Sequence, residues 1–161
     1  MHNFWKTELL QAAVLTFEEL CFLFPDSHIG EEQLQASLEA VVRVSFQGPV
    51  TGCLVLRLYG DLLASLASNM LGEESCVSSA KQYDACGEIA NVICGNVLPR
   101  IVNPQELFQL GVPKLMTPAA PVARDGELLV AEVHLGLDNG RVELQLFTDA
   151  AYEVTVGESG V

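Results

Sequence analysis

Between residues 3 and 24, Phe4, Leu9, Leu10, Ala13, Val14, Phe17, Leu20, Cys21 and Phe24 recur at intervals of three and four, with Thr7, Glu8, Gln11, Glu18 and Glu19 between them. That spacing predicts an amphipathic helix ended by Pro25. From residue 38 to 47 the period falls to two, with Ala40, Val42, Val44 and Phe46 facing one way and Glu39, Arg43, Ser45 and Gln47 the other. A second such run over residues 50–59 follows the Gly48-Pro49 turn signal, so the pair reads as a hairpin. Asp61 is placed to cap a helix through Met70, with Leu62, Leu63, Leu66, Ala67 and Met70 as its buried stripe and Gly72 as its stop. An acidic loop at 73–77 leads to a second long helix, opened by a Ser79 and Gln82 capping pair and reaching about Leu98. Asn103, Pro104 and Glu106 predict one more short helix, stopped by Gly111.

Beyond the proline-punctuated stretch 113–121 the alternation returns. Leu129, Ala131, Val133, Leu135 and Leu137 face Val142, Leu144 and Leu146 across Asp138-Asn139-Gly140, a second and stronger hairpin signal. Helix, hairpin, two helices, short helix and a strand-rich end make up an α/β sandwich with antiparallel strands. No linker or residue-level repeat divides it, so residues 1–150 are expected to form one domain. Residues 151–161 form an acidic tail, expected to be flexible.

Composition narrows the functional classes. At 161 residues with half of them apolar, the chain is long enough for a core that needs no staple and too hydrophobic for disorder. Twenty-one acidic residues against eight basic ones give a net charge of -13, and no Lys/Arg cluster occurs, which argues against nucleic acid. Apolar runs are far too short to cross a bilayer, and the early Lys6, Glu8, Glu18 and Glu19 spoil a signal peptide; no membrane insertion and a cytoplasmic location are expected. Cys21, Cys53, Cys76, Cys86 and Cys94 are an odd set with no CxxC spacing, which argues against a disulfide framework or zinc site and favours reduced, buried thiols. His2, His28 and His134 are scattered, with no ligand spacing among them, and no metal site is assigned. Phosphate-binding, dinucleotide-binding and serine-hydrolase motifs are absent.

The segment 84–98, DACGEIANVICGNVL, carries the chemistry. Turning each residue by about 100° from Glu88 gathers Tyr83, Cys86, Ala90, Ile93, Cys94 and Val97 into a core-facing stripe, while Asp84, Asn91 and Gly95 share an arc of about 60° with Glu88 on the opposite face. Asp84 and Glu88 are like charges four residues apart, which costs an isolated helix about 0.2–0.5 kcal/mol, relieved in part by Lys81. Gly95 costs about 1 kcal/mol relative to alanine. It either clears space for a closely approaching partner or accommodates a kink at Pro99.

The run GEIANVICGN resembles the signature helix of the CheC/CheX/FliY phosphatases of bacterial chemotaxis, and CheX in particular. An acidic residue, a glutamate four later and an asparagine three after that keep the family's spacing in Asp84, Glu88 and Asn91, and Gly95-Asn96 continues it. A weaker likeness extends through the FQGPVTGCLVLRL hairpin and the DLLASLASNMLG helix. The downstream family proline corresponds to Pro113, one residue nearer than the usual spacing. A single Glu-x-x-Asn site is similar to a CheX-like rather than a two-site CheC-like molecule.

The resemblance implies a CheC-like α/β sandwich with a long signature helix, often dimeric, which removes phosphate from the aspartyl phosphate of a phosphorylated CheY-like response regulator. It implies catalytic roles for Glu88, as anchor of the regulator's active-site lysine, and for Asn91, which would hold the attacking water through its amide without ionising. Asp84, Gly95 and Asn96 are partner-binding candidates. No cofactor of its own is expected; the Mg²⁺ would sit in the regulator's acidic pocket. The alternative is a noncatalytic CheX-like binding module or dimeric adaptor that keeps the same surface.

Overall fold

The structure, a computed structural model, describes residues 2–72, 77–103, 105–120 and 123–149. Most of the loop expected at 73–77, together with Cys76, Pro104 and the tail 151–161, lies outside the described residues. The elements run α1 (His2–Cys21), α2 (Glu31–Leu34), β1 (Leu38–Gln47), β2 (Gly52–Tyr59), α3 (Leu63–Leu71), α4 (Ser79–Ile101), β3 (Gln109–Leu110), β4 (Lys114–Met116), β5 (Glu127–Leu137) and β6 (Gly140–Asp149). One antiparallel sheet takes the order β3-β1-β2-β6-β5, with β4 also pairing along the outer edge of β1. Both expected hairpins form: Val42 faces Leu56 in the first, and Leu135 faces Val142 in the second. The alternating residues Ala40, Val42, Val44 and Phe46 are buried beneath the helices together with Leu54, Leu56, Leu58, Leu144 and Leu146. This is the α/β sandwich with antiparallel strands that the patterning predicts.

The first helix buries Trp5, Leu9, Ala13, Phe17 and Cys21, not Phe4 and Phe24, which are 50% and 76% exposed. It ends at Cys21, ahead of Pro25, because Phe22 takes φ 55°. That reversal brings the Leu23 N–H to the Phe17 carbonyl at 3.2 Å, while Phe22 and Phe24 stay outside. Asn69 of α3 donates to the Cys21 carbonyl at 2.7 Å and satisfies another end group.

Three local signals are overridden. Asp61 does not cap α3. The Cα pairing of β1 with β2 slips between Leu38 and Ala40, and the extra residue, Glu39, turns toward the helix; its Oε1 accepts from Leu62 N at 2.8 Å and Leu63 N at 3.0 Å. Gly72 does end α3, with φ 66°. The cap of α4 is Ser78 rather than Ser79: its hydroxyl accepts from Lys81 N, and the Gln82 amide donates to the Val77 carbonyl. The short helix expected after Asn103 is replaced by a turn, in which Asn103 accepts from Gln105 N through Oδ1 and from Glu106 N through its carbonyl. β3 follows because the open edge of β1 offers backbone partners: Gln109 and Leu110 pair with Gln47 and Phe46, and Gly111 N donates to the Ser45 carbonyl at 2.7 Å. Phe108 meets Phe46 edge-to-face at 6.1 Å.

The outer face of the sheet is half apolar and half polar. Val41, Cys53, Val55 and Phe147 form a small cluster, beside which the buried Arg43 reaches both oxygens of Glu127 at 3.1 and 3.2 Å. Farther along, His134 meets Glu132 at 3.0 Å on the exposed strand surface, as the alternation predicts.

Glu39→Ala strips two N–H groups of a charged acceptor, so urea unfolding is expected to show a loss of about 1–2 kcal/mol, whereas Asp61→Ala is expected to change little. Burial pushes the thiols of Cys21, Cys53, Cys86 and Cys94 from 9.0 up to about 12. The unfolded chain then loses thiol protons that the native state keeps, so native stability falls as pH rises from about 9 toward 12. Denaturant midpoints measured across that range check the sign, and substitution of the buried cysteines by alanine is expected to flatten the slope.

Candidate functional site

The signature segment lies on α4, whose inner stripe of Cys86, Ile89, Ala90, Ile93, Cys94 and Val97 is buried against the sheet and against α1 and α3. Tyr83, expected in that stripe, is instead 36% exposed and faces the segment 112–115 across a groove. Packing the inner stripe leaves the polar arc outside. Asp84, Glu88 and Gly95 are exposed, and Asn91, at the border of the arc, is half-buried. The helical rise separates Glu88 from Asn91 by about 4.5 Å along the axis, with both side chains on one side. No hydrogen bond or ion pair to another described residue engages the side chain of Asp84, Glu88 or Asn91. Asn96 is exposed as well, but it stands about 80° around the helix from Glu88, off the arc.

The two glycines of α4 have different surroundings. Gly87 is buried, and a Cβ there would stand 3.1 Å from the Pro113 Cβ, so the segment leading into β4 packs directly on the helix backbone. Pro113 therefore reaches the signature helix despite its shortened spacing from Asn91. Gly95 has room, since a Cβ there would meet only Leu110 Cδ1 at 3.7 Å. The helix continues through Pro99 to Ile101, and Val102 N still donates to the Leu98 carbonyl at 3.1 Å. Pro99 cannot donate to the Gly95 carbonyl, so the helix passes this point without that hydrogen bond.

The Gly87–Pro113 contact forms one end of a groove of about 240 Å³ lined by Val42, Tyr83, Asp84, Gly87, Glu88, Val112, Pro113 and Leu115. Sequence reasoning identified Asp84 and Glu88 but missed this wall. The only signal for it lay in Gly87 and Pro113, two residues far apart in the chain whose meeting depends on how β4 pairs with β1. Among the described residues, no group of three or more His, Cys, Asp or Glu is placed to hold a metal ion, and no helix is long and apolar enough to cross a membrane. The cysteines of α4 point into the core with raised thiol pKa values, which makes them inert packing groups rather than nucleophiles.

Several solved structures share the fold. The chemotaxis protein CheX of Desulfovibrio desulfuricans matches with a TM-score of 0.71 at 14% identity, covering 90% of this chain and 99% of that one. CheX of Vibrio vulnificus matches with a TM-score of 0.69 at 14% identity over 92% of this chain and 99% of that one. A third match is to the CheX–CheY complex of Borrelia burgdorferi with BeF3 and Mg²⁺, at a TM-score of 0.61, 16% identity and coverage of 89% and 96%. No curated protein matches the chain in sequence. The profile of the chemotaxis phosphatase CheX matches residues 40–127, more than half of the chain and all of the polar arc of α4. That match, on a helix whose Asp84, Glu88 and Asn91 are turned outward by the packing of its other face, makes this chain a member of the CheX chemotaxis phosphatase family.

Proposed function

We propose that this chain hydrolyses the aspartyl phosphate of a CheY-like response-regulator receiver. The observation that carries the reading is the pairing of Glu88 and Asn91 on the outward arc of a helix whose opposite face is buried. Membership of the CheX family and the likeness to a CheX–CheY complex support it.

An acyl phosphate is reactive, and its transfer to water passes through a loose transition state, so catalysis requires positioning more than covalent chemistry. Water oxygen forms a bond to phosphorus as the bond from phosphorus to the aspartyl oxygen breaks, which releases inorganic phosphate and returns a carboxylate. Asn91 holds that water through its amide in line with the breaking bond, and its half-buried position restricts the side chain to few orientations. Glu88, one turn earlier, pairs with the receiver's active-site lysine and sets the distance between the two surfaces. The divalent ion that neutralises the phosphoryl oxygens belongs to the receiver's own pocket. Gly95 extends the arc without a side chain and admits the receiver surface close to the helix.

Asn91→Ala is expected to lower the rate of phosphate loss from a phosphorylated receiver by tenfold or more, about 1.4 kcal/mol of barrier, with its far-ultraviolet circular dichroism unchanged. Binding of the receiver with no acceleration by the wild-type chain would instead identify a docking module. Glu88→Gln is expected to raise KM more than it lowers kcat, and the loss is expected to shrink at high salt. Gly95→Ala is expected to stabilise the fold by up to about 1 kcal/mol in thermal denaturation while raising KM, a split that a purely structural glycine would not produce.

A further inference from the structure

The groove between α4 and β4 adjoins the proposed catalytic arc and shares Asp84 and Glu88 with it. Asn91 is not among its lining residues, so a side chain seated in it leaves the water position clear. Its walls are the apolar Val42, Val112, Pro113 and Leu115 with the Tyr83 ring, and its charged lining consists of Asp84 and Glu88. Val112 and Leu115 are 81% and 53% exposed, so the apolar wall of the groove is open to a partner. A volume of about 240 Å³ lies below the range of small-molecule pockets, about 300–1,000 Å³, and is on the scale of one long side chain.

We propose that this groove receives a lysine or arginine from the surface of the receiver, separate from the receiver's active-site lysine, with its aliphatic stem along Val112 and Leu115 and its charge on Asp84. This rests on the phosphatase reading and adds a determinant of which receiver is bound. Apolar walls that end in a carboxylate match side chains with a hydrocarbon stem and a charged head. Two carboxylates one turn apart, with no basic residue in the lining, are complementary to two cations rather than one. Glu88 takes the active-site lysine, and Asp84 is left for the second. The close packing of Pro113 on Gly87 holds the apolar wall at a set distance from Asp84.

Titration of a BeF3-activated CheY-like receiver into the wild-type chain and into Asp84→Asn, Leu115→Ser and Asn91→Ala, at several salt concentrations, tests this. Asp84→Asn is expected to weaken Kd about five- to tenfold and flatten its salt dependence. Leu115→Ser is expected to weaken Kd with the salt dependence intact. A receiver Lys→Glu or Arg→Glu variant that loses affinity for the wild type and recovers it with Asp84→Lys would identify the seated side chain. Unchanged Kd in Asp84→Asn overturns the proposal. So does weakening by Leu115→Ser alone, which would mark an apolar occupant, and so does a lowered kcat at constant Kd in Asp84→Asn, which would place Asp84 in the chemistry. The phosphatase reading is judged separately: it fails if the wild type binds without accelerating phosphate loss, and it holds if Asn91→Ala keeps Kd and loses the rate.

Discussion

Burial of one face of α4 is the constraint on which the rest of the site depends. Ile89 and Ile93 are fully buried, with Cys86, Ala90, Cys94 and Val97 beside them, and each large apolar side chain contributes about 1.5–3 kcal/mol when removed from water. A helix held this way cannot rotate about its axis without exposing that stripe. The opposite arc is thereby set toward solvent, and Asp84, Glu88 and Asn91 inherit their direction from hydrophobic residues that take no part in the chemistry. The proposed hydrolysis needs a water and a lysine held in place relative to a phosphoryl group, and a scaffold fixed in this way would serve as part of the catalyst.

The margin of the sheet completes the site. Two short strands, β3 and β4, share the outer edge of β1 and supply backbone partners that the edge would otherwise lack. Their attachment brings Pro113 against Gly87 and raises an apolar wall beside Asp84 and Glu88. A side chain at position 87 would push that wall outward, so the glycine there serves close packing. At Gly95 a Cβ would meet only Leu110 Cδ1, at an ordinary contact distance of 3.7 Å, so close packing does not require the glycine there. Helix propensity alone treats the two residues alike.

Much of the fold was legible because the periodicities are clean. The bounds of β1 agree with its alternating run, the second hairpin turns at Asp138-Asn139, and Gly72 stops α3 in a left-handed conformation. Local chemistry misled where a distant element supplied a better partner. Asp61 is a plausible cap in sequence, yet the bulged Glu39 reaches the same N–H groups from a strand more than twenty residues earlier. Asn103 starts a turn instead of a helix because the residues after it gain more from pairing with β1 than from one short helix. Tyr83 belongs to the inner stripe by its angle alone, yet it is exposed and lines the groove beside Leu115.

The sequence by itself determined the helix that carries the candidate site and which of its faces is polar, because a period of 3.6 residues separates Glu88 and Asn91 from Ile89 and Ile93 whatever the helix packs against. It also carried the family resemblance, which lies in local spacing. Only the tertiary structure decided what stands next to that face. The wall of Val112, Pro113 and Leu115, the Glu39 cap and the exposure of Tyr83 all depend on contacts between residues far apart in the chain. Such contacts are set by strand pairing and by the packing of helices on the sheet, and a linear pattern of polar and apolar positions does not encode which edge a short strand will join.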